Sequence, residues 1–333
     1  PRARCGRKWP RDKAAFAMNE GLSATGLDFT LPVAERGYRW WYLDALSDDG
    51  AHGITIIAFL GTVFSPWYAF ARRGGGGDPL NHCCMHVALY GKPARWAMTD
   101  RRRGALSRGA DFLQIGPSAM RWDGSKLTVE LAEITAPIPG RLRGRVTLYP
   151  EALSHRHFQL DGAGRHHWQP IAPRSRVEVA FDNPALRWSG FSYFDTNTGT
   201  APLEEDFIFW DWCRAPMPEA TAILYNASRR DGSAQSLALQ VNRAGEVADM
   251  PIPAPATMPP GFWRVPRPTR SEDGKAELVR ALVDAPFYTR SEIRTRLLGQ
   301  NAVAVHESLA LNRFDNLAVQ ALMLPFKVPR ARG

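Results

Sequence analysis

Apolar and polar residues change over in short blocks along most of the chain, and few stretches carry a helical period. Arg36–Ala45 reads as a strand rich in Tyr and Trp. A Ser47-Asp48-Asp49-Gly50 turn follows, then the β-branched run Gly53–Phe59, and the three together predict a hairpin. Asn81–Tyr90, Leu127–Ile134, Arg141–Tyr149 and Arg176–Phe181 read as further strands, punctuated by Gly124, Gly140, Gly162 and Gly164. The second half repeats the style in Trp188–Phe194, Phe207–Trp212, Thr221–Asn226, an Asp231-Gly232 turn, Ser236–Val241 and Arg243–Val247. Pro251–Pro260 reads as a loop, and Ala276–Val283 and Ser291–Leu298 each fit a short helix or a strand. The pattern closes with His306–Asn312 and Asn316–Met323. Short strands spaced by roughly 8–12 residues predict an all-β fold of barrels or sandwiches, and 333 residues accommodate two barrels.

The stretch Gly53–Ala71 has no charge over 19 residues, long enough to cross a bilayer as a helix. Gly61, Ser65 and Pro66 interrupt it, and its Ile, Thr and Val favour extended backbone, so two buried strands around a bend are expected instead. The net charge of +9 sits mostly on the ends: residues 1–17 carry +5 and the last seven residues +3. A nearly neutral body argues against a nucleic-acid partner. Basic ends suit loose attraction to an anionic membrane surface. Of the four cysteines, Cys83 and Cys84 are adjacent, Cys5 lies in the tail and Cys213 stands apart, so no disulfide framework and a reduced, intracellular chain are expected. The basic N-terminal stretch lacks a clean apolar core, so no secretory signal is expected either.

Several motifs are absent. The Gly74–Gly77 run is not followed by Lys-Ser/Thr, and no Gly-x-Ser-x-Gly elbow or His-Glu-x-x-His occurs. His82, Cys84 and His86 alternate and would share one strand face, but no fourth ligand accompanies them, so a barrel wall is expected rather than a metal site.

Two short pairs carry chemistry. His166 and Trp168 are two apart, as are Tyr193 and Asp195, so on strands each pair points to one face. If both faces line one cavity, they bring an acid, an imidazole, a phenol and an indole together. A carboxyl in apolar surroundings stays protonated near neutrality once its pKa rises by about 3 units, on the order of 4 kcal/mol. The rings would stabilise a carbocation, and His166 would orient a water or accept its proton. The competing reading takes Asp195-Thr196-Asn197-Thr198-Gly199 as a turn, its Asp and Asn bonding their own backbone.

At these residues the chain resembles the carotenoid 1,2-hydratase (hydroxyneurosporene synthase) family, over nearly all of residues 26–330. The resemblance rests on WWYLDALSDDG (40–50), IIAFLGTVFSPWYAFARR (56–73), DPLNHCCMHVALYG (78–91), FSYFDTNTGTAPLEEDFIFWDWCRA (191–215), DAPFYTRS (284–291) and HESLALNRFDNLAVQALMLPFKVPR (306–330). It implies two lipocalin-like antiparallel β-barrel domains, here placed at 26–210 and 211–328 between basic tails 1–25 and 329–333. It implies addition of water, with no cofactor and no metal, to the terminal C1–C2 double bond of acyclic carotenoids such as neurosporene and lycopene. The acid falls on Asp195, with Tyr193, His166 and Trp168 beside it; whether His166 or its neighbour His167 faces the cavity stays open. Protonation at C2 would leave a tertiary cation at C1 for water to capture. The polyene is expected in an apolar groove lined by Trp40, Trp41, Phe64, Trp67 and Trp210. The family implies photosynthetic bacteria and peripheral contact with lipid on the cytoplasmic side of the intracellular membrane; the oligomeric state is not legible. Two other functions fit the same residues: a carrier that binds an apolar isoprenoid unchanged, and an isomerase of a terpenoid alkene.

Overall fold

The computed structural model describes residues 27–328, so both basic tails lie, in whole or nearly so, outside the described residues. Twelve strands form the first sheet: β1 (Tyr38–Ser47), β2 (Gly53–Leu60), β3 (Cys83–Tyr90), β4 (Arg95–Met98), β5 (Leu106–Arg108), β6 (Phe112–Ile115), β7 (Ser118–Trp122), β8 (Leu127–Ile134), β9 (Arg141–Pro150), β10 (Phe158–Gln159), β11 (His166–Asn183) and β12 (Ala185–Gly199). Their order is β4-β3-β2-β1-β12-β11-β9-β8-β7-β6-β5, with β10 added beside β11. Every paired strand is antiparallel, and the curl brings β4 back against β8.

The second sheet comprises β13 (Phe207–Pro216), β14 (Ala220–Arg229), β15 (Ala234–Asn242), β16 (Val247–Asp249), β19 (Ala276–Asp284), β20 (Tyr288–Leu297) and β21 (Gln300–Ala310). It runs β16-β15-β14-β13-β21-β20-β19, and the hairpin β17 (Ala254–Met258) with β18 (Arg267–Ser271) packs against β13, β19, β20 and β21. Short helices α1 (Pro66–Arg73), α2 (Leu203–Asp206), α3 (Leu311–Phe314) and α4 (Leu317–Leu322) connect or flank the sheets. The all-β architecture of two curled, lipocalin-like antiparallel sheets is thus the one expected. The first sheet ends at Gly199 and the second begins at Phe207.

Three apolar clusters follow from strand alternation. Trp41, Leu43 and Ala45 of β1 enter the core of the first sheet with Ile54, Ile56, Val129 and Val179. Cys213, Ala215 and Leu224 fill the second with Ile293 and Ala304. The other faces of the same strands, Tyr38, Trp40 and Tyr42 on β1 and Trp210 and Trp212 on β13, meet in a third cluster between the sheets.

Three local expectations are corrected. The apolar stretch at 53–71 is one strand and one helix, not two strands: Ser65 caps α1 by accepting from the Tyr68 N–H, and Pro66 takes the first turn, where its missing N–H costs nothing. The Pro-rich segment 251–260 contains β17, a strand paired only with β18, where proline is tolerated. Residues 195–199 are not a turn; they pair with β1 on one side and β11 on the other. Among the described residues no helix is long and apolar enough to cross a membrane.

Candidate active site

The ladder register builds a wall. Asp195 on β12 faces Tyr42 on β1, which faces Ile57 on β2, which faces His86 on β3, which faces Met98 on β4. A residue row across antiparallel strands shares one face, and all five side chains line a cavity that is partly open to solvent. The second sheet supplies the opposite wall. There Tyr225, Trp212 and Glu307 form one row, and Trp210, Leu309 and Tyr288 the next. The hollow therefore lies between the two sheets, and the inside of each sheet is packed core.

Asp195 brings a buried carboxyl to this cavity. Its Oδ2 accepts from the Trp168 indole N–H at 2.8 Å and the Tyr193 hydroxyl at 2.9 Å. Its Oδ1 is buried and has no hydrogen-bond partner. Burial pushes its pKa up to about 8, and the two donors only partly offset that effect. At neutral pH the group is a carboxylic acid. Because Oδ2 already accepts two donors, the proton belongs on Oδ1. Burial also lifts the Tyr193 phenol well above its ordinary value, so it remains a donor. Trp168 is held between Phe158 and Tyr225, with ring centroids 5.2 and 5.3 Å away, which fixes the direction of its N–H.

His166 does not join this group. It is the interior one of the two adjacent histidines, but both its nitrogens are taken. Nδ1 accepts from the Tyr38 hydroxyl at 2.9 Å, and Nε2 donates to Asp206 Oδ2 at 2.7 Å. Burial lowers its pKa, which keeps the ring neutral in this arrangement. It supports Tyr38, whose ring stacks on Trp40 at 4.8 Å, so its part is to position the wall. The expectation that it handles water is not supported by this geometry.

Of the expected groove residues, Trp40, Phe64 and Trp210 line the cavity. Trp41 cannot share that face with its neighbour Trp40, and it packs on Phe29 in the first core. Trp67 sits half-buried on α1, outside the wall. His86 does line it, but its Nδ1 donates to the Ala97 carbonyl at 3.0 Å and burial lowers its pKa to about 3, so it stays neutral. Among the described residues no His, Cys, Asp or Glu group is arranged to hold a metal ion.

Sequence reasoning missed the charged floor. Asp44 accepts from Arg214 Nε at 2.6 Å and from Arg290, and Arg290 also donates to Tyr42 and Glu307. Tyr42 in turn donates to Glu307 at 2.8 Å. Two acids lie against two guanidiniums, and this pairing compensates the full burial of Asp44 and Arg290. These residues lie far apart in sequence, and no local spacing links them. The periodic signal that was available, Trp210 with Trp212 and Trp40 with Tyr42, marks the wall alone.

An acid held neutral in an apolar, ring-lined cavity suits proton donation to an olefin. The chain matches the family described as Carotenoid hydratase CrtC over residues 56–333. It is 55% identical over 313 residues to the acyclic carotenoid 1,2-hydratase of Thiocapsa roseopersicina, covering 93% of this chain and 77% of that one. Against the enzyme of that name from Rubrivivax gelatinosus the identity is 45%, over 91% and 75% of the two chains. Among solved structures, a protein described as AttH from Nitrosomonas europaea superposes with a TM-score of 0.55 at 14% identity, over 93% of this chain and 99% of that one. Kievitone hydratase from Nectria haematococca superposes with a TM-score of 0.52 at 11% identity, over 84% and 90%. These two likenesses concern the fold. The sequence matches carry the assignment: the chain belongs to the carotenoid hydratase family and is a hydro-lyase.

Proposed function

We propose that this chain adds water across the terminal C1–C2 double bond of an acyclic carotenoid such as neurosporene or lycopene, without a cofactor, giving a 1-hydroxy product. The observation that carries the reading is the unpartnered Oδ1 of Asp195 in the apolar wall. Asp195 gives its proton to C2, and the π pair forms the new C–H bond. Charge develops at C1, the more substituted carbon, facing Trp40, Trp210, Trp212 and Tyr225. The carboxylate left behind keeps two hydrogen bonds from Trp168 and Tyr193, which stabilise it as it forms. A water lone pair then forms the C1–O bond, and one water O–H bond breaks, its proton leaving to a base, to give the neutral alcohol.

The row from Asp195 to Met98 spans four interstrand steps, roughly 19 Å at about 4.8 Å each. That length holds one end group and several conjugated double bonds, so the rest of a long polyene has to leave the cavity. Met323 lines the wall, and Leu317, Leu322, Leu324 and Phe326 around it are exposed. They support a reading in which this end meets lipid, as a peripheral protein on the cytoplasmic face of the bacterial membrane.

The test is incubation of purified protein with neurosporene or lycopene in detergent or lipid, followed by chromatography and mass measurement. A product one water heavier is expected. Bound but unchanged carotenoid would mean a carrier, and a shifted retention time at unchanged mass an isomerase; either overturns the proposal.

A further inference from the structure

We infer that Glu307, together with the indole N–H of Trp212, holds the attacking water and takes its proton, so that the hydration is a two-carboxyl reaction with the acid on one sheet and the base on the other. This inference rests on the hydratase reading above.

Three observations support it. First, Glu307 lines the same cavity as Asp195, from the opposite wall, and its side chain keeps 15% exposure, unlike that of Arg290, its buried ion-pair partner. Second, Glu307 is paired with a cation: burial raises its pKa, and Arg290 and the Tyr42 hydroxyl oppose that rise. Arg290 and the Tyr42 hydroxyl donate to its Oε1, and the floor of Asp44, Arg214, Arg290 and Glu307 is neutral only if Glu307 is ionised. Third, Trp212 lines the cavity directly across the ladder from Glu307, and its Nε1–H is buried with no acceptor. A buried donor without a partner beside a carboxylate describes the requirements of one water: an N–H to fix its oxygen and an anion to receive its hydrogen. The other groups lack these features, since both His166 nitrogens are engaged and His86 is several strands away along the row.

The two carboxyls are bridged by the same rings. Tyr42 faces Asp195 across the ladder and donates to Glu307. Trp212 packs on Tyr193, the donor to Asp195, with centroids 5.0 Å apart. The charged and titratable groups facing Glu307 are Arg290 and Tyr288 from β20, Tyr42 and Asp44 from β1, Tyr90 from β3, Asp195 from β12 and Tyr225 from β14.

The step balances. The Asp195 O–H bond breaks and its hydrogen goes to C2. A water lone pair forms the C1–O bond, one water O–H bond breaks, and that proton moves to the Glu307 carboxylate. After product leaves, Glu307 releases a proton to water and Asp195 takes one, so the only net change is one water added.

Glu307→Gln tests this. It keeps shape and hydrogen bonding but turns the balanced floor into one with a net positive charge beside the cation. We expect hydration to fall by at least a hundredfold. Any residual activity should lose its acid limb, and its alkaline limb should move to lower pH, because the Glu307 charge is one of the effects that raise Asp195. Glu307→Asp should restore part of the rate, and Trp212→Phe should slow the reaction while leaving both limbs in place. Circular dichroism and carotenoid binding report folding, and Tyr42→Phe, which leaves every charge in place, serves if Gln at 307 unfolds: it removes a donor that lowers the Glu307 pKa, so the acid limb should move to higher pH, and an unmoved limb would overturn the inference. Wild-type hydration with an E307Q variant of normal rate and unmoved pH profile overturns the inference. Absence of hydration in the wild type would instead overturn the hydratase reading.

Discussion

Asparagine at position 195 should make the protein inactive and more stable together. The amide matches the protonated acid in shape, its oxygen can accept from Trp168 and Tyr193 as Oδ2 does, and its NH2 takes the place of the O–H. The difference lies in ionisation. Asp195 has a folded pKa of about 8 against 3.8 when solvated. As pH rises from 3.8 to 7, the unfolded chain gives up this proton and the folded one keeps it. Folding at pH 7 therefore costs about 4 kcal/mol that it does not cost at pH 3, at about 1.36 kcal/mol per unit. Asn ionises in neither state and avoids that cost. Urea unfolding of both proteins between pH 4 and 8 measures it. The variant should be the more stable by a few kcal/mol at pH 7, the gap closing toward pH 4, while hydration drops by roughly a hundred- to ten-thousandfold. An Asn variant that unfolds more easily at pH 7, or that still hydrates, would falsify the buried-acid account.

Wild-type activity should be lost as pH rises through about 8, tenfold per unit beyond it, since only the protonated Asp195 can donate; a pH–rate profile checks the limb. Trp168→Phe removes a donor that lowers the Asp195 pKa, so that limb should move to higher pH, and the loss of a hydrogen bond to a forming carboxylate should cut the rate about 10- to 100-fold. His166→Asn should lower stability by about 1–3 kcal/mol, with Tyr38 and Asp206 left short of a partner, and leave the pH dependence of turnover where it was. Trp40→Ala should raise KM, whereas Trp41→Ala should leave KM alone and cost about 3–5 kcal/mol in unfolding experiments.

Local chemistry was readable where alternation is strict. Leu127–Ile134 alternates between buried and partly exposed positions and is a strand over the residues expected. The pairs His166/Trp168 and Tyr193/Asp195 do lie on strands, and the Trp168, Tyr193 and Asp195 side chains do meet. Reading failed where one signal stood for two structures. Ser65-Pro66 ends a strand and equally opens a helix, and a proline-rich segment conceals a short strand whose only partner is a hairpin mate. It also failed where tertiary contact decides. Trp40 and Trp41 are equivalent as composition and opposite in direction, and the role of His166 is set by Asp206, forty residues on. Glu307 sits in a segment that resembles the family, yet its Arg and Tyr partners come from two other strands of two different sheets.

A strand such as β1 is two-ply in purpose: one ply, Trp41, Leu43 and Ala45, serves cohesion, and the other, Trp40 and Tyr42, serves the seam. Selection can therefore act on the first core and on the cavity wall at alternate positions along the same ten residues. Because each sheet contributes one carboxyl, neither half of the chain should retain turnover when produced alone, however well it folds.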